Sequence, residues 1–401
     1  MKKLVLVAVI FTSIFVLAAC GGSSSSQGVT NDRVLVGNTA ATSGGLAFVG
    51  GPFRDAMRAY FTMVNEAGGV AGRQIEYIQY DDEFNPAQGL TLTQRLVEDD
   101  EVFALVGHFG TPTVGATQEY LDGIGIPRVY YATGISALFQ PNAVDGQRGS
   151  FPVQPIFDAE GEVMVARAIG ELNALRIGVI YTNDDAGRGL LNGIRIRAND
   201  LSRVLVEAQV APDASDMSTA ALQMISGGVD VVLIAANQVP ASVAARALAQ
   251  QGSTVPVITS YVNADASWLG LVSEVLGNFD IYASAWIDVA GSPEDLEVYI
   301  REVSKIDPAL AGNAFAFAGW IAAATFVEGL RRVGTDALTW ENYINAMESA
   351  PVELPFGVVV DYANSRRVGT QAMAFLKAGV TNGTPAWSNV QPIQTIDDIL
   401  N

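Results

Sequence analysis

The chain has 401 residues, with 23 Lys or Arg against 42 Asp or Glu, so its formal net charge at pH 7 is −19. Such an acidic surface repels nucleic acid and anionic lipid headgroups, and we expect no nucleic-acid partner. The length exceeds what one hydrophobic core usually supports, so it predicts two domains.

The first residues have the order of a secretory signal peptide. Two lysines open the chain, a short apolar stretch follows at residues 4–16, and small residues precede Cys20. The stretch is shorter than the roughly 20 residues of a membrane-spanning helix, so we expect residues 1–19 to be a signal peptide. Leu-Ala-Ala-Cys resembles the lipobox of bacterial lipoproteins, which implies a lipid on Cys20 and an extracytoplasmic protein anchored to the bacterial cell membrane. The alternative is an ordinary signal peptide with an incidental cysteine.

Cys20 is also the single cysteine of the chain. One cysteine can form neither an intrachain disulfide nor a cysteine metal cluster, so its position before the folded body favours an anchoring role. Residues 20–32 begin with a run of Gly and Ser, and we predict that they form a flexible tether.

Short β-like runs alternate with helical stretches from Arg33 onward, which is typical of parallel βαβ units. In a first block we predict strands at residues 33–38, 74–80, 103–106 and 128–131, and helices at residues 52–66, 86–98 and 112–121. In a second block we predict strands at residues 176–181, 204–210, 230–234 and 255–258, and helices at residues 158–173, 188–200, 217–226, 241–251 and 266–276. The fold class is therefore α/β, with two doubly wound, Rossmann-like lobes.

The last third of the chain has too few predicted strands for a third lobe. Its predicted strands are residues 279–286, 357–361 and 371–377, and its predicted helices are residues 293–305, 313–332 and 339–349. We expect a multi-strand hinge with crossings near residues 151–155, 283–287 and 356–358. The expected units are residues 33–152 plus 286–357 for lobe 1, residues 153–285 plus 358–385 for lobe 2, and a C-terminal tail at residues 386–401.

One internal run, residues 314–327, is apolar enough to be considered as a membrane segment. It is too short to cross a bilayer and is rich in Ala, so we predict a buried helix instead.

Between Arg33 and Gly379 a series of short motifs follows a fixed order. The motifs are Thr42-Ser43-Gly44-Gly45, Asn65-Glu66-Ala67-Gly68-Gly69, Asp81-Asp82 with Asn85-Pro86, Val106-Gly107 with Thr111-Pro112-Thr113, Gly125-Ile126-Pro127, Ala132-Thr133-Gly134, and Gln154-Pro155 with Glu160-Gly161. Together they resemble the branched-chain amino acid type (Leu/Ile/Val-binding) of ABC-transporter substrate-binding lipoproteins. The resemblance implies a periplasmic binding protein type I fold, a small-molecule ligand, and an ABC permease and ATPase as partners. We expect the protein itself to be a monomer.

Ligands of open α/β sheets lie beyond the carboxyl ends of the strands. Thr111 fits a helix N-cap and Pro112 the first helical position, and a helix start suits a ligand carboxylate. The alternative is a cap that only stabilises its helix. The resemblance implies a carboxylate contact at Thr111, with neighbouring contacts at Ala132 and Gly134. The candidate ligand-binding residues are Ser43, Phe48, Val49, Thr111, Ala132, Thr133, Gly134, Asp185, Ala186, Asn237 and Tyr261.

The second lobe departs from the amino acid binders of this family. Tyr261 lies where the resemblance implies a carboxylate for the ligand ammonium, and Val49, Ala186 and Asn237 lie where it implies aromatic contacts. The Asp184-Asp185 pair could supply the negative charge or could be a solvated turn. The ligand is therefore an amino acid or, alternatively, an aromatic or other small carboxylate. A ligand ring could stack on aromatic residues that could equally be core, namely Phe48, Phe109, Tyr130, Tyr131 and Tyr261.

The sequence lacks familiar catalytic patterns. His108 is the single histidine, which excludes a multi-histidine metal site and favours a structural role at a strand end. There is neither a Gly-x-x-x-x-Gly-Lys phosphate loop nor a Gly-x-Ser-x-Gly elbow. We therefore expect a binding protein and not an enzyme, without catalytic residues, metal ligands or a cofactor. An exported hydrolase and a ligand sensor of the same fold are the alternatives.

Overall fold

The computed structural model describes residues 26–289, 291–381 and 383–401. Two β-sheets flanked by helices form two lobes, which confirms the predicted α/β fold with two doubly wound units. The predicted signal peptide at residues 1–19 and the lipid on Cys20 lie outside the described residues.

The first lobe is built on a parallel sheet. Its strands are β1 (Arg33–Ala40), β2 (Gln74–Asp81), β3 (Ala104–Phe109), β4 (Arg128–Ala132) and β5 (Ser150–Phe151). Their order across the sheet is β2-β1-β3-β4-β5. β3 is buried along its whole length, as expected of an apolar strand covered on both faces. All neighbouring strands are parallel, so their carboxyl ends lie at one edge of the sheet.

The second lobe has a larger, mixed sheet. Its parallel strands are β6 (Arg176–Thr182), β7 (Val204–Val210), β8 (Val231–Ala235), β9 (Val257–Thr259) and β10 (Ile281–Ala285). The next two strands along the chain, β11 (Val352–Leu354) and β12 (Val358–Val360), form a separate two-stranded hairpin that is not part of this sheet. Two antiparallel strands, β13 (Ala372–Thr381) and β14 (Thr384–Thr395), then extend the second sheet to the order β14-β13-β10-β9-β8-β6-β7.

Helices connect the strands and cover the sheets. They are α1 (Ala47–Glu66), α2 (Pro86–Glu98), α3 (Thr111–Ile124), α4 (Phe157–Gly170), α5 (Asp185–Asp200), α6 (Ser218–Gly227), α7 (Gln238–Gln250), α8 (Ala266–Leu271), α9 (Pro293–Val303), α10 (Ala314–Val333), α11 (Trp340–Glu348) and α12 (Ile396–Leu400). The bounds of α2 agree with the prediction because Asn85 caps its start and Pro86 follows. α1 begins before the predicted Pro52, because Val49 and Phe53 lie on one buried face one turn apart.

Three segments carry the chain between the lobes. Residues 152–156 and 286–289 lie close to the first two predicted crossings. The third crossing was predicted at residues 356–358, where the chain instead turns into the β11–β12 hairpin, with Phe356 at φ 64°. The chain stays with the first lobe as far as Arg367, which pairs with Glu348 at 2.6 Å. The expected boundary at residue 357 therefore moves to the segment between Arg367 and β13.

Both ends of the described chain are more ordered than predicted. Gln27, inside the predicted tether, donates hydrogen bonds to the carbonyls of Val97 and Val102 at 3.2 and 2.9 Å. The predicted tail at residues 386–401 forms most of β14 and all of α12. β14 contains Pro385 and Pro392, and it is an edge strand, where a missing N–H is tolerated.

The apolar run at residues 314–327 lies within α10, and most of that helix is buried. Trp320 of α10 packs edge-on against Tyr60 of α1, with ring centres 4.6 Å apart. The prediction of a buried helix is therefore confirmed. Within the described part of the chain, no helix combines the length and the apolar character that crossing a membrane requires.

Candidate ligand-binding cleft

A cavity of about 950 Å³ lies between the two lobes. Its first-lobe wall includes the starts of α1, α3 and α10, and its second-lobe wall includes the starts of α5 and α7 and the turn after β9. Gln154 and Trp286, on two of the crossing segments, also line it. The cavity thus lies at the carboxyl ends of the parallel strands, where open α/β sheets bind ligands.

Thr111 lines the cavity as the first residue of α3. We predicted it as the N-cap, but Gly110 takes that position with φ 90°, a left-handed conformation that glycine adopts readily. Thr111 Oγ1 instead lies 2.8 Å from Thr133 Oγ1. The bond fixes the Thr111 side chain at the cavity wall, beside the positive end of the α3 helix dipole.

Buried polar side chains connect the lobes at the crossing segment. Tyr130 in β4 accepts a hydrogen bond from Gln154 Nε2 at 2.7 Å. Tyr261 Oη donates to the carbonyl of Pro155 at 3.0 Å, and its ring stacks on Phe157 with ring centres 5.8 Å apart. Burial raises the pKa of both tyrosines far above the ordinary value, so they remain protonated. Tyr261 therefore ties the second-lobe wall to the hinge.

The loop after β9 is held by a buried glutamate. Glu160 in the first turn of α4 is fully buried, and its carboxyl oxygens accept from Ser260 Oγ at 2.7 Å and from Tyr261 N at 2.6 Å. Burial raises the pKa of Glu160 to about 8, against the opposing effect of these hydrogen bonds. Glu160 thus holds Tyr261 at the cavity directly through the Tyr261 backbone N–H and indirectly through the Ser260 hydroxyl.

The start of α5 brings two aspartates to the rim of the cavity. Asp184 is the N-cap, and its Oδ1 accepts from Gly187 N at 2.8 Å and from Thr182 Oγ1 at 2.9 Å. Asp185 pairs with Arg188 at 2.7 Å, and both side chains are about half exposed. Asp184 is therefore a capping residue. Asp185 is the first residue of α5, and its solvated carboxylate is paired with Arg188.

Seven of the eleven candidate residues line the cavity, namely Val49, Thr111, Ala132, Asp185, Ala186, Asn237 and Tyr261. The other four lie beside it. Ser43 is exposed in the turn before α1, Phe48 packs on Phe315 with ring centres 6.5 Å apart, and Thr133 bonds to Thr111. Gly134 packs its backbone against the hinge, where an added Cβ would lie 2.3 Å from Pro155 O.

Apolar and aromatic side chains provide much of the remaining lining. They include Leu46, Phe53, Phe84, Phe109, Trp286, Phe315, Phe317 and Trp387. Of the five aromatic residues suggested for stacking, Phe109 and Tyr261 line the cavity. Tyr130 and Tyr131 are fully buried, so for them the core alternative is correct.

Several residues of the cavity wall were not predicted as ligand contacts. They include Gln154, Gln238, Asp265, Trp286 and Trp387. Asp265 precedes a serine by two positions, a pattern typical of a helix N-cap, but such a pattern does not indicate that the residue faces a cavity. Trp387 lies in the segment that we expected to be a tail.

His108 has the structural role that its position predicted. It is fully buried, and its Nε2 lies 2.7 Å from Thr117 Oγ1. Burial lowers the pKa of His108 to about 3, so the ring is neutral. Across the described residues, His, Cys, Asp and Glu side chains form no group of three or more that could hold a metal ion.

The sequence is similar to those of curated binding proteins. It is 28% identical over 194 residues to "Amino acid binding protein" of Pseudomonas aeruginosa, covering 48% of this chain and half of that relative. It is 24% identical over 331 residues to "Leu/Ile/Val-binding protein homolog 1" of Brucella abortus, covering 79% of this chain and 82% of that relative.

The fold is similar to that of the fatty acid ABC transporter substrate-binding protein from Thermomonospora curvata. The TM-score is 0.78 at 19% sequence identity, over 92% of this chain and 94% of that chain. A family model described as periplasmic binding protein matches residues 33–384. Since this match spans both lobes and all three crossing segments, the chain belongs to the periplasmic binding protein family.

Proposed function

We propose that the protein is the extracytoplasmic solute-binding component of an ABC importer and that it captures a small ligand between its lobes. The observation that carries this proposal is the interlobe cavity, which is lined from both lobes and bordered by the crossing segments. The family supports the binding role, and the names of the two curated relatives support an amino acid or a related compound as ligand.

The two lobes would close on the ligand by bending at the crossing segments. The first lobe would bind through the start of α3, and the second lobe would add contacts only on closure. The ligand then favours the closed state by its higher affinity for that state. The permease and its ATPase would recognise the closed form and reopen it to release the ligand.

The start of α3 is the proposed contact for a ligand carboxylate. Gly110, Thr111 and Pro112 all line the cavity there. A helix N-terminus offers backbone N–H groups and a partial positive charge, which stabilise an anion without a basic side chain. The Thr111 hydroxyl would donate one further hydrogen bond to the carboxylate and would accept the bond from Thr133 Oγ1.

An aromatic or more extended apolar carboxylate is the second candidate ligand. The aromatic side chains of the wall, among them Phe109, Trp286 and Phe317, support it. The similar fold of a protein described as a fatty acid transporter component agrees with an apolar ligand body.

A thermal-shift screen of the purified protein against amino acids, their amides and aromatic acids tests this proposal. A ligand that binds the native state raises the melting temperature by mass action, with a rise that grows with ligand concentration. The proposal expects a saturable rise with at least one compound and no chemical turnover of that compound by mass spectrometry. No rise across the screen, or formation of a product, would count against it.

We also propose that Cys20 carries a lipid that anchors the protein to the cell membrane. The proposal is supported by the single cysteine after a signal-peptide pattern. Cys20→Ser should abolish labelling by radioactive palmitate and move the protein from the membrane fraction to the soluble fraction. Unchanged labelling in the variant would overturn it.

A further inference from the structure

The interlobe cavity is long in the direction that crosses the strands of the second sheet. Its second-lobe wall includes residues that follow β8 and β9 and, at the other end, residues of β13 and β14. β14 is three strands away from β9 in the order β14-β13-β10-β9. Neighbouring strands lie about 4.8 Å apart, so the wall extends roughly 14 Å from the turn after β9 to β14.

The proposed carboxylate contact lies at the β9 end of this wall. Thr111 bonds to Thr133, and the next residue, Gly134, is so close to the turn after β9 that an added Cβ would lie 2.6 Å from Tyr261 Oη. A ligand carboxylate at Thr111 is therefore separated from β14 by most of the length of the wall. Since one residue of extended chain covers only about 3.5 Å, a single amino acid leaves much of this length empty.

One face of the β13–β14 pair forms the far end of the cavity. Leu376 lies opposite Asn389 and Ala378 opposite Trp387, so Leu376, Trp387 and Asn389 share a face of the two strands. All three line the cavity, and each keeps part of its surface exposed. The side chain of Trp387 is therefore directed to the cavity side of the sheet.

Trp387 is fixed in place and presents an apolar surface. Its ring stacks on Trp268 of α8 with ring centres 6.3 Å apart, and its Nε1 donates to the carbonyl of Asp265 at 3.2 Å. Because this bond satisfies its single polar group, the rest of the indole offers only apolar contacts. On the first-lobe side, Phe315 at the start of α10 also lines the cavity and is held by Phe48. Partly exposed apolar side chains on both walls of a cavity indicate a binding site for an apolar group.

We infer that Phe315, Leu376 and Trp387 form a distal subsite for the apolar end of an extended ligand, a straight-chain monocarboxylate whose carboxylate lies at the start of α3. The inference deepens the proposed function and rests on it. The far end of the ligand carries no second carboxylate, because Asp265 and Asp288 also line the cavity and the net charge of the chain is −19.

The test is isothermal titration calorimetry of the purified protein with hexanoate, octanoate, decanoate and dodecanoate, each kept below the concentration at which it forms micelles. Each CH₂ group that the cavity buries should raise the affinity by up to about fourfold, as far as the chain reaches Trp387. Decanedioate has the chain length of decanoate with a second carboxylate at its far end. It should bind ten times or more weakly than decanoate.

Two variants assign the gain in affinity to the distal subsite. Trp387→Ala should weaken decanoate binding tenfold or more and keep hexanoate binding within about threefold, because only the longer chain reaches the indole. The matched control is Trp340→Ala, which should keep both affinities. Trp340 Nε1 also donates to a backbone carbonyl, that of Phe103 at 2.8 Å, but Trp340 does not line the cavity. Asn389→Asp changes an exposed residue without changing its size, and its charge should weaken decanoate binding more than hexanoate binding.

Equal affinities of the wild type for hexanoate and decanoate, or an equal loss for both acids in Trp387→Ala, would overturn the inference. If circular dichroism shows that Trp387→Ala does not fold, Asn389→Asp decides, and wild-type affinity for decanoate in that variant overturns the inference. Binding of a compound from the thermal-shift screen without binding of any straight-chain acid would overturn the inference and leave the proposed function standing. Absence of binding by the acids and by every compound of the screen would count against both.

Discussion

The hydroxyl oxygens of Thr111 and Thr133 lie 2.8 Å apart at the first-lobe wall of the cavity. The two residues come from different strand ends, Thr111 after β3 and Thr133 after β4. Thr133 is 2% exposed and does not line the cavity, so in the proposed site it would act on a ligand only by orienting Thr111. Thr111 therefore lines the cavity, and Thr133 supports Thr111 from behind the wall.

Thr111→Val should weaken ligand binding by about 10- to 150-fold, because one hydrogen bond to a charged ligand group is worth roughly 1.5–3 kcal/mol and each 1.4 kcal/mol is tenfold in affinity. Thr111→Ser keeps the hydroxyl and should bind within about threefold of the wild type. Calorimetry with the best compound from the thermal-shift screen measures both. Wild-type affinity in Thr111→Val would show that the α3 start is not the carboxylate contact.

Gly115 of α3 lies where the two lobes approach each other at the rim. An added Cβ would lie 3.4 Å from Asp185 Oδ2 on the second lobe. Gly115→Trp should therefore obstruct closure and weaken ligand binding tenfold or more. Gly123→Trp, in the same helix but with open space around the added atom, should leave the affinity unchanged. Equal affinities of the two variants would mean that closure does not bring these surfaces together.

Gly134 meets the hinge too closely for a side chain. A Cβ there would lie 2.3 Å from Pro155 O and 2.6 Å from Tyr261 Oη. Gly134→Ala should lower the free energy of unfolding by about 1–3 kcal/mol, as overpacking usually does. Gly170→Ala, at the end of α4 with open space around it, should change stability by less than about 1 kcal/mol. Urea denaturation measures both, and equal stabilities would contradict the close contact.

Glu160 should make stability depend on pH. Its pKa is about 8 in the folded protein and close to 4.5 when unfolded, so the folded state binds more protons between these values. Stability should therefore fall as pH rises from about 4.5 to 8, by up to about 1.4 kcal/mol per pH unit, and level off above pH 8. Glu160→Gln should remove this contribution. Urea denaturation from pH 5 to 9 would contradict the account if the slope were the same in both proteins.

The repeated strand–helix pattern was predictable because apolar runs and helix start signals are local. The strand Val204–Val210 and the helix Pro86–Glu98 have the predicted bounds. β14 was not predictable in the same way, because its two prolines are tolerated only through its edge position, which depends on the whole sheet.

The site was predictable in part. Motif order led to Thr111, Ala132 and Tyr261 as candidate contacts, and all three line the cavity. Gln238 and Asp265 were missed because their places in the cavity wall are defined by contacts with residues distant in sequence, such as the bond from Trp268 Nε1 to the Gln238 carbonyl. The support of Thr111 by Thr133 depends likewise on the pairing of β3 with β4.

Small-angle X-ray scattering of the purified protein, with and without a saturating ligand from the screen, tests the central claim most directly. If the ligand binds between the lobes and closes them, the radius of gyration should fall on ligand addition in the wild type and fall less in Gly115→Trp. A ligand that binds tightly by calorimetry while both scattering curves remain unchanged would contradict the account.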